Sequence, residues 1–238
     1  GFEADLEFGL RSRVGRTLEL SRAVAATVDV ADLDGVVALI AEHLEAAGEL
    51  HAAYQWHMRA ATWATSRDIT AARQSWERAE AIADVLPEGP DKLSMRIAPR
   101  TMLCGIAWRL HANVAGERID ELRGLCAAAG DDASLAIGMA GFVIDQAFQG
   151  RIRQASALAS EVWSLVEALG DPTLTVALSF PLGYAQGHGG GWSDVAQWSN
   201  RAIELADGDP SMGDVMFGSP LALAHVARGL GRCCLGLP

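Results

Sequence analysis

Several features are scarce in this chain of 238 residues, and each scarcity excludes a class of protein. The four cysteines, at positions 104, 126, 233 and 234, show no CxxC or cysteine/histidine spacing, so we expect no zinc site and no disulfide framework. Lysine and arginine number 19 against 30 aspartates and glutamates, and a net charge of -11 argues against direct binding of nucleic acid. A reducing cytoplasm is the expected location.

Long apolar runs are also missing. The longest uncharged stretch, residues 172–193, contains two prolines and a glycine cluster, so we expect no membrane span and no membrane partner. The chain begins Gly1-Phe2-Glu3, which has neither a methionine nor the pattern of a signal peptide. We expect it to be a piece of a longer protein.

Runs of alternating valine, isoleucine and threonine are nearly absent, whereas alanine, leucine and other helix formers are abundant. This composition predicts an all-α fold. Breakers divide the chain into helix-length segments that follow one another as antiparallel pairs. We expect an N-terminal helical hairpin over residues 1–48 and a continuous array of helical repeats over residues 49–238.

The spacing of large and small residues in residues 56–79 is close to that of a tetratricopeptide helix pair. The sequence reads Trp56-x2-Arg59-Ala60-x2-Trp63, and then has Ala72, Trp76 and Ala79. Aromatic residues stand where two antiparallel helices meet, and alanines stand where their backbones come close. The pattern predicts helix pairs stacked as a tetratricopeptide-like right-handed superhelix, an α-solenoid.

The breakers also predict helix boundaries. Asp32 is a candidate N-cap, and glycines such as Gly48 and Gly150 are candidate C-terminal stops. Superposing the turns places Ala72, Ala155 and Ala196 at the same position of successive second helices. The predicted helices span residues 10–28, 33–47, 50–65, 69–86, 93–112, 119–129, 134–149, 152–169, 173–186, 193–206 and 219–235.

Several stretches resemble one family of helical repeats. These are residues 43–50 (HLEAAGEL), 53–60 (AYQWHMRA), 71–79 (AARQSWERA) and 96–105 (RIAPRTMLCG), followed by 134–141 and 170–175. They resemble the repeat region that follows the ATPase module in large mycobacterial adenylate-cyclase-like and LuxR-type signalling proteins. The resemblance implies a regulatory segment. No phosphate-binding loop and no paired cyclase aspartates accompany it here, so it implies no ATPase or cyclase activity of the chain itself.

Two clusters are candidates for chemistry, and in both the ordinary interpretation is preferred. The run His188-Gly189-Gly190-Gly191 has the composition of a hydrolase oxyanion loop, but no Gly-x-Ser-x-Gly nucleophile accompanies it, so we expect a glycine turn between helices. The histidines at positions 43, 51 and 57 do not have the three- or four-residue spacing of ligands on one helix face. We therefore expect no catalytic residue, no metal and no cofactor.

Three arginines are candidates for partner binding. Arg96 and Arg100 are four residues apart on one helix, and Arg109 follows. Guanidinium groups on one face could hold a carboxylate or phosphate, and the alternative is that they pair with acidic residues of neighbouring helices. Of the seven tryptophans, we expect Trp192 and Trp198, next to the glycine turn, to have the best chance of exposure.

The residues predicted to line the inner surface of the repeats are Tyr54, His57, Ala61 and Thr65, on the helix that carries the tetratricopeptide pattern. The predicted function is a non-catalytic regulatory domain that binds a protein or peptide segment, or adjacent domains of its parent chain, through a helical-repeat groove. The alternative is a sensor whose repeats enclose a small-molecule pocket. An apolar final helix without a predicted partner favours a homodimer through that helix.

Overall fold

The computed structural model describes residues 36–110, 116–214 and 218–237. This part of the chain contains ten α-helices and no β-strand. The helices are α1 (Val37–Ala46), α2 (Leu50–Ala64), α3 (Ile69–Val85), α4 (Lys92–Ile106), α5 (Gly116–Ala129), α6 (Asp132–Phe148), α7 (Ile152–Leu169), α8 (Pro172–His188), α9 (Trp192–Ala206) and α10 (Pro220–Cys234). A short 3-10 helix, Ala107–Leu110, follows α4.

The all-α prediction is confirmed, and from residue 50 onward the helix boundaries lie close to those predicted. The largest difference is in α4, which ends at Ile106 and passes into the 3-10 helix instead of continuing to residue 112. The helix predicted over residues 33–47 is observed as α1. The helix predicted over residues 10–28 lies outside the described residues, as does the candidate N-cap Asp32.

Side-chain caps and glycines explain where the helices begin and end. The carboxylate of Asp68 accepts hydrogen bonds from the backbone N–H groups of Thr70 and Ala71, and so begins α3. Asp131 and Asp171 begin α6 and α8 in the same way. The residue before each of these two aspartates is a glycine with positive φ, a conformation that costs glycine little and that ends the preceding helix.

The chain divides into two compact units, residues 1–99 and 100–238, with the boundary at Pro99 inside α4. In unit 1, α1 packs on α2 and α2 packs on α3. Large apolar side chains from these helices, such as Ile40, Leu44 and Ile82, surround Trp56 in one buried cluster. Alanines on α2 and α3, among them Ala60 and Ala79, allow the helices to approach closely.

In unit 2, each helix from α5 to α10 packs on the next one in the chain. In addition, α6 packs on α8 and α8 packs on α10, so these three alternate helices form one layer. Trp163 on α7 and Trp198 on α9 stack with ring centroids 4.7 Å apart. The expectation that Trp198 is exposed is wrong, because this stacking buries it, and Trp192 is half-buried.

The repeat register within unit 2 differs by one residue from the predicted one. The turns before α7 and α9 match when Gly150 is superposed on Gly190, and both glycines have positive φ. In both turns, the backbone N–H four residues after the N-cap residue donates to the carbonyl of that N-cap residue. The pairs are Ala155 with Arg151 and Val195 with Gly191. The period is therefore 40 residues, and Ala155 is equivalent to the buried Val195 rather than to the half-buried Ala196.

No helix in the described ranges is both long enough and apolar enough to cross a membrane.

Candidate interaction surface

A row of contacting aromatic rings runs across unit 2. We call Trp108, Phe148, Phe180, Tyr184 and His188 the aromatic row. The ring centroids of Trp108 and Phe148 are 5.8 Å apart, and those of Phe148 and Tyr184 are 5.5 Å apart in an edge-to-face arrangement. Tyr184 in turn contacts His188 at 4.3 Å and Phe180 at 6.4 Å. Each ring therefore contacts at least one other member of the row.

The helical repeat positions these rings. Trp108, Phe148 and His188 are separated by steps of 40 residues, which is the period of the turns in this unit. They lie in the 3-10 helix after α4, at the last residue of α6 and at the last residue of α8. Equivalent residues of stacked repeats lie side by side, so a ring at this one position is repeated across neighbouring helices.

The row is partly exposed to solvent. Phe148 exposes 49% of its surface and His188 is exposed, whereas Trp108, Phe180 and Tyr184 are half-buried. The Nδ1–H of His188 donates to the backbone carbonyl of Tyr184 at 2.8 Å, which fixes the orientation of the imidazole. Exposed rings held by their neighbours provide large apolar contact area at a small cost in side-chain entropy.

The residues predicted to line an inner surface on α2 are mostly buried. Tyr54 and Ala61 pack in the interior, and burial raises the pKa of the Tyr54 hydroxyl to about 12. Thr65 is half-buried, and its hydroxyl donates to the carbonyl of Ala61 at 2.8 Å. Partner contact through this helix stays a prediction, and Tyr54, His57 and Ala61 present little accessible surface.

His57 is the member of this predicted set that lies beside a cavity. Its ring is 3% exposed, and Nε2 is 3.0 Å from Oε2 of Glu45 on α1. The other oxygen of Glu45 lies 3.5 Å from Nη1 of Arg78 on α3, so one carboxylate links three helices. Burial lowers the pKa of His57, and the nearby carboxylates of Glu45 and Glu42 oppose that shift only in part.

Two of the three candidate arginines form ion pairs with carboxylates. Nε of Arg96 lies 2.8 Å from the carboxylate of Asp84. Arg100 is buried, and its Nε and Nη2 lie 3.0 and 2.9 Å from Oε1 of Glu121. These are the pairs with acidic residues of neighbouring helices that the sequence left as the alternative. Arg109 is half-buried in the 3-10 helix.

Within the described residues, no group of three or more histidine, cysteine, aspartate or glutamate side chains could hold a metal ion. The glycine turn after His188 is a helix end closed by Gly190, which has a φ of 91°. A Cβ at Gly191 would collide with the side chain of Gln186, so the turn is tightly packed. Cys104 and Cys126 are buried and are not joined in a disulfide, and burial raises the pKa of Cys126 to about 11.

No protein-family model matches this chain, and no curated protein matches it significantly. The resemblance to the repeat regions of mycobacterial signalling proteins therefore stays a prediction.

The aromatic row was not found by the sequence reasoning, although a signal for it exists. The repeated position is filled by a tryptophan, a phenylalanine and a histidine, so no single residue type marks it in the sequence. The 40-residue steps from Trp108 to Phe148 and His188 are visible in the sequence. These steps predict neighbouring rings only when the 40-residue period is known. Superposing Ala155 on Ala196 predicts a period that is one residue longer.

Proposed function

We propose that this chain is a non-catalytic helical-repeat domain that binds a protein segment through the aromatic row. The helix pairs form a tetratricopeptide-like right-handed superhelix, and the row is its docking surface. The partner is an extended or helical peptide, supplied by another protein or by an adjacent domain of the parent chain, with apolar residues that cover the rings. The observation that carries this proposal is the run of ring contacts from Trp108 through Phe148 and Tyr184 to His188.

Three features support the proposal. The contacts of α6 with α8 and of α8 with α10 are those of stacked helix pairs, in which first helices form one layer. Aromatic side chains are enriched at the centres of protein interfaces. Gln186, two residues before His188, accepts a hydrogen bond from Ser156 at 2.7 Å and donates one to Asp194, so its side chain is occupied by internal hydrogen bonds.

The proposal includes the setting that the sequence predicts. The domain belongs to a multidomain signalling protein of the adenylate-cyclase-like or LuxR-type class, in the cytoplasm, and relays the binding event to a catalytic or DNA-binding domain elsewhere. The free cysteines support a reducing location. The net charge of -11 supports a protein partner rather than nucleic acid.

The test is a selection of peptides from a random library of 16-residue sequences displayed on phage, with the full chain as bait. Enriched peptides are synthesised, and their Kd values are measured for the wild type and for the double variant Phe148→Ser/Tyr184→Ser. We expect at least a tenfold loss of affinity, because two central contact rings are removed. Equal affinities for both proteins would show that peptides bind elsewhere.

The matched control is Val85→Ser, which removes another exposed apolar side chain, from unit 1. We expect it to leave the Kd values unchanged. Circular dichroism and thermal unfolding of all three proteins separate loss of the binding surface from loss of the fold. If no peptide is enriched on the wild type above the double variant, the proposed function is overturned.

Self-association through the final helix is part of the same proposal. Val226 and Leu230 on α10 expose 55% and 53% of their surfaces, and Leu235 and Leu237 after the helix are also exposed. Two copies that pack these faces together would remove this apolar surface from water. Light scattering after size exclusion should show a dimer for the wild type and a monomer for Leu230→Asp. A monomeric wild type at 100 µM, roughly the range of weak dimers, would reject this arrangement.

The small-molecule sensor is retained as the second candidate function, because unit 1 contains a polar cavity beside His57.

A further inference from the structure

Unit 1 contains an open cavity of about 440 Å³ between α1, α2 and α3. This volume lies within the range of pockets that hold small organic molecules. The cavity is separate from the aromatic row, all of whose members belong to unit 2. Its polar lining consists of Glu42 from α1, His57 from α2, and Gln74, Ser75, Glu77 and Arg78 from α3.

The imidazole of His57 has a defined tautomer. A carboxylate can only accept a hydrogen bond, so at 3.0 Å from Glu45 the Nε2 atom of His57 carries the proton. Burial holds this ring neutral near pH 7, and the Nδ1 atom is then a bare acceptor. Nδ1 is buried and has no hydrogen-bond partner among the described residues. A buried acceptor without a donor is costly, and this one belongs to a side chain that lines the cavity.

The charges around the cavity favour a positively charged ligand. Glu42 and Glu77 line it with carboxylates, and the carboxylate of Glu45 lies 3.0 Å from Nε2 of His57. The lining cation, Arg78, is 3.5 Å from Glu45, and Glu77 also lies 2.8 Å from Arg73. The three carboxylates exceed the two guanidinium groups, so a positively charged guest is favoured over an anion. Ser75 and Gln74 add neutral polar groups to the wall.

We propose that this cavity binds a small organic cation with N–H donors, an alkylammonium or alkylguanidinium, and that one donor pairs with Nδ1 of His57 while the charge faces Glu42 and Glu77. This site uses no residue of the aromatic row, and it names a ligand class for the small-molecule sensor that is the second candidate function. An ammonium or guanidinium group supplies an N–H donor for the histidine and a positive charge for the carboxylates. The guest's apolar part contacts Ala38 and Ala71, which complete the lining.

The test uses the full chain, labelled with ¹⁵N in its histidines, and follows the ring nitrogens by NMR. The probes are butylguanidinium, butylammonium, butanol and butanoate, which share an alkyl chain and differ in charge and donors. We expect the two cations to shift the Nδ1 resonance of His57, assigned with His57→Gln, in a saturable way. Butanol and butanoate should shift it at least tenfold more weakly at equal concentration.

The matched variants separate the site from a general effect of charge. Glu42→Gln/Glu77→Gln removes both lining carboxylates, and Glu161→Gln/Glu167→Gln makes the same change at exposed positions on α7. We expect the first variant to weaken cation binding at least tenfold and the second to leave it unchanged. The inference is overturned if no cation moves the resonance, if butanoate moves it equally, or if both variants bind alike. The cation measurements on the wild type and on both variants do not depend on whether a peptide binds the aromatic row.

Discussion

The two units are built from the same element, a pair of antiparallel helices, and yet they present opposite kinds of surface. Unit 1 surrounds a polar cavity with charged side chains, and a single carboxylate, Glu45, connects His57 to Arg78 across three helices. Unit 2 presents contacting aromatic rings and an apolar final helix. The repeat therefore determines where a side chain lies, and the residue type at that position determines what the surface can bind.

The helices also approach one another differently in the two units. In unit 1, buried alanines on α2 and α3 and a fully buried tryptophan, Trp76 on α3, form much of the interior. In unit 2, glycine brings two backbones together, since a Cβ at Gly141 of α6 would overlap the backbone of Gly105 in α4. Four predictions test this comparison, from the largest expected effect to the smallest.

Trp76→Ala should produce the largest loss. The ring is 0% exposed, and its removal leaves a cavity in unit 1, so the free energy of unfolding should fall by about 3–5 kcal/mol. Hydrogen exchange of α2 and α3, read by mass spectrometry, measures the loss locally. Trp63→Ala is the control, because Trp63 is only half-buried and its removal should cost clearly less. Equal losses would contradict the expectation that the fully buried ring contributes more to stability than the half-buried one.

Gly141→Ala should destabilise unit 2 by about 1–3 kcal/mol, because the added methyl group forces α6 away from α4. Gly124→Ala in α5 is the matched control. No heavy atom lies within 4 Å of its added Cβ, so this substitution should stabilise the helix by about 0.5–1 kcal/mol. Urea unfolding followed by circular dichroism gives both values. A gain in stability for Gly141→Ala would contradict the close backbone contact.

Much of this architecture follows from local sequence signals, and the sites do not. Asp68, Asp131 and Asp171 cap helices through contacts within three residues, so composition and breakers predict the helix boundaries well. Arg100 finds Glu121 across 21 residues, and nothing local indicates which acid an arginine will select. The cavity beside His57 depends on three helices at once, and no spacing rule connects them.

Glu121→Gln should weaken unit 2 by about 1–2 kcal/mol, because it removes the negative charge beside a buried guanidinium. The exposure of Glu121, 43% of its side chain, keeps the loss below that of a fully buried pair. In unit 1, Glu77→Gln breaks the exposed pair with Arg73 and should cost at most about 0.5 kcal/mol. Thermal unfolding at low and high salt compares the stability lost in the two variants. A larger loss for Glu77→Gln than for Glu121→Gln would contradict the expected order.

The pH dependence of unit 1 should give the smallest effect of the four. Burial lowers the pKa of His57 below 6.5, partly opposed by Glu45 and Glu42 and reinforced by the charge of Arg78. The unfolded chain therefore takes up a proton at His57 before the folded chain does, and the stability of unit 1 should decline as pH falls below about 6.5 toward the folded pKa. Below the folded pKa this contribution becomes constant.

Hydrogen exchange of α2 at pH 7.5 and 5.5, corrected for intrinsic exchange rates, measures the decline. His57→Gln retains a donor for Glu45 without titrating in this range, so the decline at α2 should be smaller in this variant. An equal decline in both proteins would assign it to other groups and leave His57 protonated in the folded state.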